Sequence, residues 1–216
     1  MPESLKQPES VAWTPDGVAV IADTWNHRVL FFRPESNAVR PLPQPEDGWY
    51  GPRAVAVAAD GTVAVADTGH KRIVLISGGG GSPRIETIGR EGSRPGELVE
   101  PVGVTWIDGH RLLVCDTGNR RLQVFDRQGG ALEVVPLPEA WTDFYSRPQV
   151  VALAEDRWLV TDTPAESLWL VEKGVPRKID FHGADIVPSG LALHERTLYV
   201  SDLGSRVWAF ELPSDD

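Results

Sequence analysis

Short apolar runs recur along the chain, each alternating with small or polar residues and each too brief to build a helix face. Ser10-Val-Ala-Trp13, Ala54-Val-Ala-Val57, Gly103-Val-Thr-Trp106, Val150-Val-Ala-Leu153 and Gly190-Leu-Ala-Leu193 show the period of two that places one face of a strand in a core. Asp16-Gly17, Asp60-Gly61 and Asp108-Gly109 follow as hairpin dipeptides, with Asp156-Arg157 and Glu195-Arg196 in the same place further on. A second aliphatic run then ends on an aspartate, a polar cluster turns the chain, and a third strand follows. A fourth, looser strand is predicted near residues 38–40, 85–88, 132–135 and 176–179.

The aspartate recurs as Asp23, Asp67, Asp116, Asp162 and Asp202, most clearly in Asp116-Thr-Gly-Asn-Arg-Arg121. A proline precedes each by 14 or 15 residues: Pro8, Pro52, Pro101, Pro148 and Pro188. Two landmarks at a fixed distance define a repeat, and an all-strand unit of this length is a propeller blade of four antiparallel strands. The expectation is an all-β fold, a β-propeller of five repeats forming one domain over residues 1–216. The Asp and Thr side chains are expected to bond nearby backbone N–H groups, with Gly or Asn taking the left-handed backbone of the turn.

These residues carry a family resemblance. Asp23-Thr-Trp-Asn26-His27-Arg28 contains the Asn-His-Arg core of the NHL repeat, Asp116-Thr-Gly-Asn119-Arg-Arg121 is close to it, and the resemblance covers residues 2 to 212. The fourth copy departs most, with Pro164 and Ser167 in place of the Gly and the Arg. NHL propellers commonly have six blades. Five repeats here imply either a five-bladed ring whose last blade has three strands, or an open or incomplete six-bladed propeller, with self-association through the incomplete last blade as one outcome.

Composition narrows the function classes. With 41% apolar residues the 216-residue chain can bury a full core. A formal net charge of −10 argues against nucleic acid or an anionic membrane as the general partner. The single cysteine, Cys115, forms no internal disulfide and is expected to pack in a strand. The first residues lack the apolar segment of a secretory signal, and no stretch approaches a membrane span, so the expected compartment is the cytoplasm.

The five aspartates could be drawn as a ring of metal ligands, but their position in the turns reads better as structure. Arg28, Arg72, Arg121 and Arg206 recur just after Asp23, Asp67, Asp116 and Asp202 and predict ion pairs within or between blades. No two histidines show metal-ligand spacing, so neither metal nor cofactor is expected. A resemblance to gluconolactonase-like hydrolases, in Glu9-Ser-Val-Ala-Trp13 and Ser189-Gly-Leu-Ala-Leu193, implies a metal-dependent propeller hydrolase or lyase as the alternative. Ser189 stands where that family has an Asn ligand.

The uneven loops before each proline point to binding. They carry aromatic and Arg residues, the types that anchor protein interfaces, and emerge on the face that holds the Asp-Thr-Gly-Asn turns. Leu5, Trp49, Leu98 and Tyr145, each three residues before a blade proline, are read as buried plugs. Trp25, Tyr50, Arg94, Trp141, Phe144 and Arg147 are then the candidate surface contacts. The resulting expectation is a non-catalytic scaffold for a protein or peptide. RNA, which some NHL proteins bind on a basic face, fits the acidic balance less well.

Overall fold

The computed structural model describes residues 4–78, 82–137, 139–141, 146–180 and 186–212 as five antiparallel sheets. The first holds β1 (Pro8–Trp13), β2 (Ala19–Asp23), β3 (Arg28–Arg33) and β4 (Ala38–Pro41). The second holds β5 (Pro52–Val57), β6 (Val63–Asp67), β7 (Arg72–Ser77) and β8 (Arg84–Ile88). The third runs through β9 (Pro101–Trp106), β10 (Arg111–Asp116), β11 (Arg121–Asp126) and β12 (Ala131–Pro136). The fourth comprises β13 (Val150–Ala154), β14 (Arg157–Asp162), β15 (Ser167–Glu172) and β16 (Val175–Asp180). The fifth has β17 (Pro188–His194), β18 (Thr197–Asp202) and β19 (Val207–Glu211). Within each sheet the strands neighbour one another in chain order, which makes this a five-bladed β-propeller.

The blades stack through their first strands, β1 on β5, β5 on β9, β9 on β13 and β13 on β17. Among the described residues, no strand of the fifth blade packs to that extent on a strand of the first. Between consecutive blades lie four apolar clusters. Val20, Ala22 and Val29 meet Val55, Val65 and Val74 in one, and Leu113, Cys115 and Leu122 meet Trp158 and Val160 in another. Period-two alternation thus gives every inner blade two apolar faces, one for each neighbour, and each Leu or Ile so buried contributes about 1.5–3 kcal/mol. Burial pushes the Cys115 thiol up, as for a packing residue.

The recurring turn has a different construction from the one its residue types suggested. Each copy from the first to the fourth is a single 3-10 turn, and the left-handed residue is His27, Lys71, Arg120 or Glu166, with φ of 50–56°, not the Gly or the Asn. Gly69 and Gly118 serve close approach instead. A Cβ on Gly69 would lie 2.3 Å from the Tyr50 ring, and one on Gly118 would lie 2.5 Å from Val99.

The Asp and Thr divide the work. In the first three blades the buried Asp ties its own blade to the loop that precedes it. Asp23, Asp67 and Asp116 accept the backbone N–H of Lys6, Tyr50 and Val99 at 2.7–2.8 Å. They also accept Arg28, Arg72 and Arg121 Nε at 2.7–2.8 Å, so the ion pairs lie within blades. The Thr reaches onward. Thr24, Thr68 and Thr163 Oγ1 donate to the carbonyls of Pro52, Pro101 and Pro188 in the next blade at 2.6–2.7 Å. In the fourth blade Ser167 replaces the Arg, and the Trp169 indole supplies the donor to Asp162 at 3.2 Å. In the fifth, Arg206 Nε and the Trp208 indole both reach Asp202 at 2.9 Å; with the indole bond as the largest contribution, they hold its carboxyl below the usual range.

Candidate binding cleft at the mouth of the propeller

The face that carries the 3-10 turns also carries the loops entering each blade. The backbone of Tyr50 is fixed there from both sides: its N–H donates to Asp67 and its carbonyl accepts Gly69 N–H at 2.8 Å. That leaves the ring projecting, half-exposed, and stacked on His27 with centroids 5.5 Å apart and planes at 28°. His70 meets the same ring edge-on at 5.6 Å. His27 is held in place by its Nδ1, which accepts Gly51 N–H at 2.9 Å. Trp25 stands beside this cluster, exposed, with Lys6 Nζ 5.8 Å from its ring.

Trp25, His27 and Tyr50 line a cleft of about 500 Å³ whose other walls include Arg53, Lys71, Glu100 and Arg147. Arg147 also forms the edge of a second cleft of about 650 Å³, with Glu9, Gln149 and Ser189. The guanidinium of Arg147 lies 3.1 Å from Glu9 Oε1 and joins the loop before the fourth blade to the first strand of the first. Lys71 pairs with Glu91. The mouth of the propeller therefore combines projecting rings with three cationic side chains, Arg53, Lys71 and Arg147, although the chain as a whole is acidic.

Glu9 is a titratable group at odds with its surroundings. Its side chain is only 9% exposed, and neither carboxylate oxygen meets a well-aligned hydrogen-bond donor among the described residues. Burial raises its pKa above the usual 4.5, and the charges of Arg53 and Arg147 only partly offset that effect. The folded chain thus holds this proton more tightly than the unfolded chain. Stability contributed by this group therefore falls as pH rises from about 4.5 through the raised value. In Glu9→Gln that loss is absent. The difference in unfolding midpoint between variant and wild type should move in favour of the variant from pH 4 upward and then level off; a difference independent of pH would contradict the assignment.

Of the six surface candidates from the sequence, Trp25, Tyr50 and Arg147 converge on the one cleft. Arg94 lies elsewhere, in a separate depression with Arg90 and Glu97. Phe144 lies outside the described residues, as does Tyr145. Trp141 is corrected: it is 3% exposed within the cluster between the third and fourth blades, and its indole Nε1 donates to Thr161 O at 3.0 Å. It occupies the plug role for that blade, as Trp49 and Leu98 do for theirs, whereas Leu5 is exposed. His27, Arg53, Lys71 and Glu9 were not among the candidates. Glu9, Arg53, Gln149 and Ser189 each follow a blade proline, and a variable column inside an otherwise repeating frame was the signal that marks them.

Among the described residues no group of three His, Cys, Asp or Glu side chains is placed to hold a metal ion, and no helix is long and apolar enough to cross a membrane.

No protein-family model and no curated protein matches this chain. Its fold is similar to that of a virginiamycin B lyase from Staphylococcus aureus, with a TM-score of 0.75 at 15% identity over 99% of this chain and 69% of that one. A streptogramin B lyase gives 0.70 at 13% identity, over 100% of this chain and 72% of the other. A nidogen/laminin complex gives 0.68 at 15% identity, over 96% and 77%. At these identities the likeness concerns the fold, and the neighbours include both lyases and a protein complex.

Proposed function

We propose that this chain is a non-catalytic binding module that takes a protein or peptide segment in the cleft between Trp25, Tyr50 and Arg147. The observation that carries this reading is the pre-positioned ring of Tyr50, braced by His27 and His70 and flanked by Arg53, Lys71 and Arg147. Projecting aromatic and Arg side chains held rigid before binding lose little entropy on contact, which is the property of interface anchors. The cations select a segment with carboxylates next to an apolar or aromatic residue. Asn26-His27-Arg28 in the turn that builds this cleft keeps the NHL-type repeat as the reading of its origin.

The test is selection of binders from a random peptide library displayed on phage, followed by titration of a selected peptide. Trp25→Ala and Tyr50→Ala should each weaken it by tenfold or more, about 1.4 kcal/mol or above. Both should unfold at the wild-type midpoint, because the two side chains are exposed. Selected peptides that bind both variants as tightly as wild type would place the interface elsewhere.

A second reading, a metal-dependent propeller hydrolase or lyase of gluconolactonase-like type, is favoured by one observation: a buried carboxyl of raised pKa, Glu9, beside Gln149 and Ser189 in the second cleft. Stoichiometric metal in protein purified without chelator, lost in Glu9→Gln, would support it over the scaffold reading.

A further inference from the structure

We propose that copies of this chain associate head to tail, the outer face of the first blade of one copy packing on the open face of the fifth blade of the next. On the first strand of each blade, two alternate residues face the preceding blade: Val55 and Val57, Val104 and Trp106, Val150 and Ala152, Leu191 and Leu193. All eight are buried or half-buried against their neighbour. Register places Val11 and Trp13 in the same column of the first blade, opposite Ile21 and Ala19 on β2. There they are 59% and 60% exposed.

The complementary surface is open as well. The face that each blade turns toward its successor is built on the second and third strands, as with Val20, Ala22 and Val29 in the first blade. In the fifth blade the same register gives Tyr199, Ser201, Val207 and Ala209, and Val207 is 69% exposed. The described residues therefore carry both halves of one interblade interface, each without its mate among them. Two surfaces that complement each other but not themselves make a heterologous contact, which joins copies in one direction. That logic selects a second copy as the occupant.

The contact lacks a clamp that joins the first blade to the second, the second to the third and the fourth to the fifth. Leu203 stands where Thr24, Thr68 and Thr163 make their bond to the next blade's proline carbonyl, and it has no hydroxyl to donate. The association rests on apolar contact without that clamp and is reversible and concentration-dependent.

Sedimentation equilibrium, from low micromolar to near-millimolar protein, tests it. Wild type should rise in average mass with concentration above its 23.6 kDa monomer. Trp13→Asp and Val207→Asp should each remain monomeric, because each has lost one half of the contact. Mixed in equal amounts they should form a dimer and nothing larger, since one intact pair of surfaces remains. Circular dichroism checks that both variants fold, and Val11→Glu and Ala209→Arg replace either that does not. A wild type that stays monomeric throughout, a single variant that assembles like wild type, or a mixture that stays monomeric would each overturn the proposal.

Discussion

Replacing Asp116 with alanine will destabilise the protein by about 3–5 kcal/mol, the cost of breaking a buried ion pair and leaving its partner charge uncompensated. Four donors converge on this carboxylate: Val99 N–H at 2.7 Å, Asn119 Nδ2 at 2.8 Å, Arg121 Nε at 2.7 Å and Gln123 Nε2 at 3.0 Å. Arg121 in turn donates to the carbonyls of Ser93, Arg94 and Glu97, so the loop before the third blade hangs on this pair. The internal control is Asp16→Ala. Asp16 also pairs with an arginine, Arg33 at 3.0 Å, but in solvent, where screening leaves such pairs little net effect on stability. Denaturant unfolding of both variants decides the matter. Equal losses would show that the recurring Asp is not an anchor.

Trp141→Ala is expected to cost about 3–5 kcal/mol through loss of buried area and the cavity left behind. For a chain of this size that corresponds to a fall in unfolding midpoint on the order of 10 °C. The loss has two sources. The ring fills space among Leu137, Val150 and Trp169 in the cluster between two blades, and its indole N–H satisfies the buried carbonyl of Thr161. Binding of a selected peptide to the folded variant should be unchanged, because Trp141 does not line the cleft. A variant with a wild-type midpoint but weakened peptide binding would restore Trp141 to the surface and remove it from the core.

The propeller was legible in the sequence because the same two constraints act on every blade. A proline starts the inner strand and a buried aspartate ends the second, and their spacing survives changes in nearly everything between. The Arg that follows the Asp was legible for the same reason. What could not be read is what each donor reaches. Thr24 and Thr68 bond the next blade across 28 and 33 residues, a separation that no local turn rule encodes. The left-handed backbone fell on His27, Lys71, Arg120 and Glu166 because the turn is a 3-10 turn, while glycine was required for the closeness of Tyr50 and Val99.

Trp141 was misplaced for a comparable reason. In the first three blades the loop residue that donates to the Asp lies 17 positions before it; in the fourth it lies 21 before, so counting back from Pro148 picked Tyr145 for the plug. The cleft was half legible. Trp25, Tyr50 and Arg147 stood out as large side chains in loops, whereas His27 reads as repeat framework and Lys71 as one more surface lysine until the fold sets them around the same opening.

Hydrogen exchange of the chain with and without a library-selected peptide tests the binding account most directly, because it locates the interface without prior choice of residues. Amides at 24–27, 50–53 and 68–71, which frame the cleft, should gain protection together, while the loop around Arg94 should not change. Protection confined to the Arg94 loop or to the opposite face of the blades would contradict a binding site at the mouth of the propeller.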